Sequence, residues 1–246
     1  MRAAQLTEHA GPDAVRVTDI PEPEAGDSLV LVDLHAAGVP FPDLLQTTGG
    51  YQMVRPLPCV LGAEAAGIVR SAPEGSGLTA GQRVAVLSID GSWQQTVALP
   101  RELVFPLPDS VSLTAGAGML MNYFTAHFAL DERARYRASE TVLVHGAPSG
   151  RAVVLGFTGG SIPTVKVNRL LLKNISVVGA GWGEYLRTDP GYPARQWAAL
   201  EPLLRDGTLV VPEPTLHPLD EAPAALRSLE NRSATGKVAL DLTSRP

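Results

Sequence analysis

Glu140-Thr-Val-Leu-Val-His-Gly-Ala147 is the stretch on which the reading of this chain turns. Its aliphatic run closing on His-Gly-Ala reads as a buried strand entering a tight turn, the way a nucleotide-binding βαβ unit begins. Only Pro148, Ser149 and Gly150 follow before a second apolar run, Arg151-Ala-Val-Val-Leu-Gly-Phe157. A dinucleotide site needs a glycine-rich turn, a helix whose N-terminus faces the pyrophosphate and, about 20 residues on, an acid for the ribose. Three residues supply none of these. Parallel neighbours need a crossover of a dozen or more residues. The Pro-Ser-Gly link therefore predicts an antiparallel hairpin, with separation of the two strands and pairing to another subunit as the alternative.

On the N-terminal side, short apolar runs divided by Gly and Pro predict strands at 14–18, 28–37, 66–71, 83–87, 93–99 and 103–106, a barrel or sandwich pattern. A short helix is expected over 41–48, and a longer one over 114–130, capped by Thr114 and weakened by Gly116 and Gly118. Beyond the central stretch the pattern predicts strands at 174–179, 209–211 and 237–242. Helices are expected at 195–206, closed by Gly207, and at 220–230. No internal repeat or low-complexity segment interrupts the chain.

A hydrophobic fraction of 45% with 18% charged residues describes a folded globular protein of 246 residues. The net charge of −5 argues against a nucleic-acid partner. Lys and Arg form no contiguous run that would mark a membrane patch, so no membrane partner is expected. Cys59, the single cysteine, excludes an internal disulfide and a cysteine-based metal cluster, and among Pro56-Leu-Pro-Cys-Val-Leu61 it reads as a buried inert thiol. The start, Met-Arg-Ala-Ala-Gln, lacks a secretory apolar stretch, and the apolar segment 115–130 is interrupted by Asn122, Tyr123, Thr125 and His127. A soluble cytoplasmic protein is the expectation.

Several stretches resemble the zinc-free quinone oxidoreductases of the medium-chain dehydrogenase/reductase superfamily. They are Ala37-Gly-Val-Pro-Phe-Pro-Asp-Leu-Leu45, Gly49-Gly-Tyr-Gln52, Leu57-Pro-Cys-Val-Leu-Gly-Ala-Glu-Ala-Ala-Gly67, Asn122-Tyr-Phe-Thr-Ala126 and Thr141-Val-Leu-Val-His-Gly-Ala147. Ile162-Pro-Thr-Val-Lys-Val-Asn-Arg-Leu-Leu-Leu172, Gly181-Trp-Gly-Glu-Tyr185 and Gly236-Lys-Val-Ala-Leu240 extend the similarity to both sides of the Pro-Ser-Gly link. The resemblance implies a mixed α/β (α+β) fold, with a GroES-like β-barrel domain over 1–112 and 212–246 and a truncated Rossmann remnant over 113–211. It also implies a cleft between them where the family holds NADPH. Zinc-binding relatives carry a His beside the Glu of the Gly-x-Glu stretch; here Gly62-Ala-Glu64 has Ala63, and no metal is expected.

Two departures decide what is expected of the cofactor. The family's Ala-Gly-Gly-Val-Gly turn has become Pro148-Ser-Gly150, and the helix it enters, with the strands after it, has no counterpart. Where the family usually carries an Asn that approaches the nicotinamide, this chain has Pro40, which offers no side-chain donor and no backbone N–H. No cofactor is expected to bind. The shortened sheet leaves 175–178 near an edge, and a homodimer through that edge is expected to cover it.

If no hydride carrier binds, the scaffold is left with a cleft able to position an apolar molecule and place an acid or base. The resemblance puts Tyr51 facing it, as a hydrogen-bond donor to a carbonyl or a general acid. Asp43 is a candidate base, or alternatively a solvated carboxylate capping the helix turn. Phe41, Asn122, Tyr123, Thr125 and Trp182 are the candidate substrate contacts, with Tyr185 a further aromatic. Lys166 and Asn168 lie in a family segment near the cofactor and read as relics. His145 reads as a core histidine, and His9, His35, His127 and His217 lack partners at ligand or triad spacing. Three functions stay open. They are a cofactor-independent cyclase, isomerase or lyase of specialised biosynthesis, a non-catalytic binding module, and an NADPH quinone reductase rebuilt by domain swapping.

Overall fold

The computed structural model describes residues 1–88, 91–142, 151–157, 162 and 164–243. The chain divides into two compact units, Met1–Met121 with Trp197–Pro246, and Asn122–Gln196. The sequence places these divisions near 112 and 212.

In the first unit the strands are β1 (Arg2–Leu6), β2 (Val15–Asp19), β3 (Val30–Gly38), β4 (Cys59–Val60), β5 (Glu64–Ser71), β6 (Arg83–Leu87), β7 (Thr96–Leu99) and β8 (Val104–Pro106). Helix α1 (Phe41–Thr47) interrupts them after β3, and α2 (Leu113–Gly116) and the start of α3 (Leu120–His127) follow β8. β3 shows why the segment is a strand: Val30, Val32 and Leu34 are buried on one face, while Asp33 and His35 turn outward. It is the hub of the main sheet, pairing antiparallel with β5 and β7. β5 continues to β6 and β6 to β8. β1 pairs with β2 and β4 in a smaller sheet, tied to the rest where Ala4 N–H donates to the Trp93 carbonyl at 2.8 Å. Leu6, Val32, Leu61, Trp93, Leu226 and Leu240 form the centre of the core at 0% exposure. Each such side chain contributes about 1.5–3 kcal/mol.

The second unit holds β9 (Arg151–Val154), α4 (Val167–Lys173), β10 (Ser176–Gly179), α5 (Trp182–Thr188) and the first turn of α6 (Tyr192–Arg205). The end of the chain returns to the first unit as β11 (Thr215–Pro218), α7 (Ala222–Glu230) and β12 (Val238–Asp241). β12 pairs antiparallel with β3 and parallel with β11, giving the order β11-β12-β3-β5-β6-β8. α7 buries Ala222, Ala225 and Leu226 against this barrel.

Several expectations are corrected. β1 escaped the sequence reading because Arg2-Ala-Ala-Gln-Leu6 is too small and polar for a strand pattern. The strand expected at 209–211 forms instead at Thr215–Pro218. Val210 is exposed, and Pro212 and Pro214 deny that stretch ladder donors. The single helix expected over 114–130 is broken. Ser112, not Thr114, caps α2 by accepting the Ala115 N–H, the chain reopens around Gly116–Gly118, and α3 runs on into a π-helical turn at Phe128–Arg133. At Gly118 a Cβ would lie 2.7 Å from the Lys237 stem, which is why this break takes a glycine.

In the second unit β9 and β10 pair in parallel, from Arg151↔Ser176 to Val154↔Gly179, with α4 as the crossover. β9 stops at Val154, short of the expected 157. The hairpin expected across Pro148–Gly150, most of the strand before it and His145 lie outside the described residues. Phe124, Phe128, Trp182, Tyr185 and Tyr192 form an aromatic core, with ring centroids 4.9–5.9 Å apart in the contacting pairs. Gln196, fully buried, donates to the Phe124 carbonyl at 2.7 Å and accepts from Trp182 Nε1 at 2.8 Å. Among the described residues no helix is long and apolar enough to cross a membrane.

Candidate functional site

The expected site residues of the first unit hang on α1. Pro40 is its N-cap, extended at φ −79° and ψ 158°, and no side chain caps the helix there. Phe41 packs half-buried against the barrel core. Tyr51 lies half-buried at the bend that follows the helix.

Asp43 is not the solvated carboxylate the sequence suggested. It is 2% exposed, and its Oδ1 accepts the Gly62 N–H at 3.1 Å while Oδ2 has no hydrogen-bond partner. Burial pushes its pKa from 3.8 up to about 7. The Gly62 N–H and the Arg55 charge pull the other way, Glu64 adds to the rise, and Lys237 opposes it. Through Oδ1 the enclosed carboxyl anchors the turn at Gly62. That turn needs glycine: φ is +101°, and a Cβ would sit 2.4 Å from the Trp93 ring. Cys59, expected to be buried, is half-buried on β4, and burial keeps its thiol pKa above the usual value, so it stays protonated.

Two residues beyond Gly62, Glu64 is 0% exposed and fully engaged. Its Oε1 accepts from Lys237 Nζ at 2.7 Å and its Oε2 from the Met121 N–H at 2.9 Å. Gly38 makes room for it, since a Cβ there would lie 2.8 Å from Oε1. Strand β5, the start of α3 and the approach to β12 are thus clamped on one carboxylate. Sequence reasoning missed this group, because its partner lies 173 positions away.

Asn122 is exposed and Tyr123 and Thr125 are half-buried on α3, in the second unit. Burial raises the Tyr123 phenol, which keeps it protonated and a donor. Trp182 is buried at 6% exposure, against Phe124 and Gln196, and serves that unit's core. Tyr192, also unremarked in the sequence, is buried with its hydroxyl unpartnered, and its pKa is pushed up to about 12, chiefly by burial.

A hollow of about 360 Å³ on the first unit, lined by Met1, Glu22, Asp33, His35, Arg70 and Thr96 among others, contains none of the expected site residues. Its cation is already spent: Arg70 pairs with Asp33 and Glu22. Among the described residues no group of His, Cys, Asp or Glu is placed to hold a metal ion.

Of the two positions from which the sequence expects a loss of NADPH contacts, Pro40 lies among the described residues and Pro148–Gly150 does not. Proline stands at the N-cap of α1, where it offers no side-chain donor.

Residues 26–109 match the alcohol dehydrogenase GroES-like domain. The synaptic vesicle membrane protein VAT-1 homolog of Rattus norvegicus is 36% identical over 153 residues, which are 61% of this chain but only 38% of that protein. The quinone oxidoreductase-like protein 2 of Mus musculus is 26% identical over an alignment of 324 positions, spanning 98% of this chain and 92% of the relative. That alignment is longer than the chain itself, so a large part of the relative faces a gap. The crystal structure of a probable oxidoreductase from Mycobacterium abscessus is 33% identical, covers 98% of both chains and superimposes with a TM-score of 0.82. Barrel, return strands and these likenesses agree: the chain belongs to the quinone oxidoreductase-like family of the medium-chain dehydrogenase/reductase superfamily.

Proposed function

We propose that this chain is a cofactor-independent enzyme on a quinone oxidoreductase scaffold, a cyclase, isomerase or lyase for an apolar, carbonyl-bearing small molecule. The observation that carries this reading is the double loss on the nucleotide side. The three-residue Pro148-Ser-Gly150 link stands where a phosphate-cradling turn and helix belong, and Pro40 stands at the head of α1. A hydride carrier is needed for redox chemistry. Without one, the scaffold works by positioning and by hydrogen-bond donors.

In this reading Tyr51 supplies the donor that polarises the substrate carbonyl, and Phe41 gives an apolar wall. Asp43 acts through the Gly62 turn. Losing one donor to developing charge costs about 10²–10³ in rate. Tyr51→Phe is therefore expected to slow turnover by that factor with Tm unchanged, measured on a carbonyl substrate found by mass-spectrometric screening. Full activity of the Phe variant removes Tyr51 from the site. Consumption of NADPH with a quinone acceptor overturns the whole reading in favour of the rebuilt reductase.

The same reading expects a homodimer through β10. Among the described residues one edge of this strand pairs with β9 and no strand covers the other. Ser176-Val-Val-Gly179 carries no charge that would oppose pairing with its own copy. Light scattering should give twice the chain mass at tens of micromolar, and Val177→Pro should give the monomer. A monomeric parent protein contradicts it.

A further inference from the structure

The second unit contains a surface that the proposed chemistry does not use. From Thr141 to Gly183 the chain has no Asp or Glu, yet it carries Arg151, Lys166, Arg169 and Lys173, in a protein whose net charge is −5. Arg151 is paired with Glu140. Lys166, Arg169 and Lys173 are exposed and enter none of the ion pairs among the described residues. They are not contiguous, which is why the sequence showed no basic run. Lys166 is the N-cap of α4, and the spacing i, i+3, i+7 gathers all three along one side of the helix.

Apart from Asn168, the rest of α4 is apolar, and it is bare. None of its residues is buried. Val167, Leu171 and Leu172 are 74–78% exposed, and Ile162 just before the helix is 75% exposed. Isolated apolar residues on a surface need no account, but four this exposed within eleven residues, beside three unpaired cations, form a patch.

We propose that α4, with Ile162 and Lys166 before it, forms a docking surface for a bilayer rich in anionic lipid. Basic side chains flanking an exposed apolar arc match what such a surface offers, phosphate and carboxylate headgroups above hydrocarbon. A second copy is the poorer occupant of this face. An isologous contact would set Lys166, Arg169 and Lys173 against themselves. The uncharged β10 edge has no such conflict. This inference replaces the expectation, read from the sequence, that no membrane partner exists, and it stands independently of the proposed chemistry.

The test is co-sedimentation of the full chain with phosphatidylcholine vesicles containing about 30 mol% phosphatidylserine, against vesicles of phosphatidylcholine alone. Binding is expected to the anionic vesicles only, and to fall as salt is raised. Each surface cation contributes about fivefold in affinity, so K166E/R169E/K173E should bind about 10²-fold more weakly. Leu171→Ser with Leu172→Ser should weaken binding at constant charge. All five positions are exposed, so the variants should fold, which an unchanged Tm checks. Equal binding to both vesicle types, binding to neither, or anionic binding untouched by either variant overturns the proposal. So does a dimer broken by the charge reversal with no vesicle binding, which would give the face to a second copy.

Discussion

Lys237→Met is expected to destabilise the protein by about 3–5 kcal/mol, the cost of leaving a buried charge without its partner. Glu64 is 0% exposed, and of its two hydrogen bonds only the one from the Met121 N–H would survive. Methionine keeps most of the aliphatic stem that lies against Gly118, so the loss would not be a packing loss. The double variant Glu64→Gln with Lys237→Met removes both charges and should recover most of the deficit, because the isolated charge, not the missing attraction, dominates. Urea melts of the parent, Lys237→Met and the double variant measure this. A single-variant cost under about 1 kcal/mol would show that the pair behaves like a surface ion pair, and the clamp on β5, α3 and the approach to β12 would lose its energetic meaning.

Asp43→Asn is expected to stabilise the protein, and increasingly so as pH rises. The Asp43 pKa is raised by burial from 3.8 to about 7. At pH 3 both folded and unfolded chains carry the proton, and the residue makes no pH-dependent difference. Between these values the unfolded chain loses the proton while the folded one keeps it, so the unfolded state binds fewer protons and stability falls with pH. At about 1.36 kcal/mol per unit, the penalty approaches about 4 kcal/mol near pH 7 and is constant above. Asparagine keeps the acceptor that holds the Gly62 N–H and cannot ionise. The stability gap between variant and parent should therefore widen by about 4 kcal/mol from pH 4 to pH 8. A gap that does not change with pH would mean that the carboxyl is solvated after all.

The barrel was legible because its strands announce themselves locally. β6 falls on the residues that the short apolar run Arg83-Val-Ala-Val-Leu87 predicts. Gly207 takes the left-handed backbone that its place after a helix suggested, at φ +78°. α1 could also be read, from Phe41-Pro at its head. What α1 does with Asp43 could not. An Asp in the first turn of a short helix reads as a solvent-facing cap, and only the fold brings the Gly62 turn over it. The Glu64–Lys237 clamp joins the two ends of the chain and leaves no local trace. α4 was missed for a different reason. The unbroken Leu170-Leu-Leu172 run hides the helical period of its apolar residues, and Asn174, left-handed at φ +47° as C-cap, emerges only from the backbone.

The proposed function requires that the chain binds no nucleotide cofactor. Isothermal titration of the full chain with NADPH tests it most directly, because binding needs no knowledge of the substrate. With Pro148-Ser-Gly150 in place of the phosphate turn and Pro40 at the head of α1, no saturable heat is expected at millimolar NADPH. A saturable isotherm with a micromolar dissociation constant would contradict the claim, and would mean that another copy of the chain completes the site.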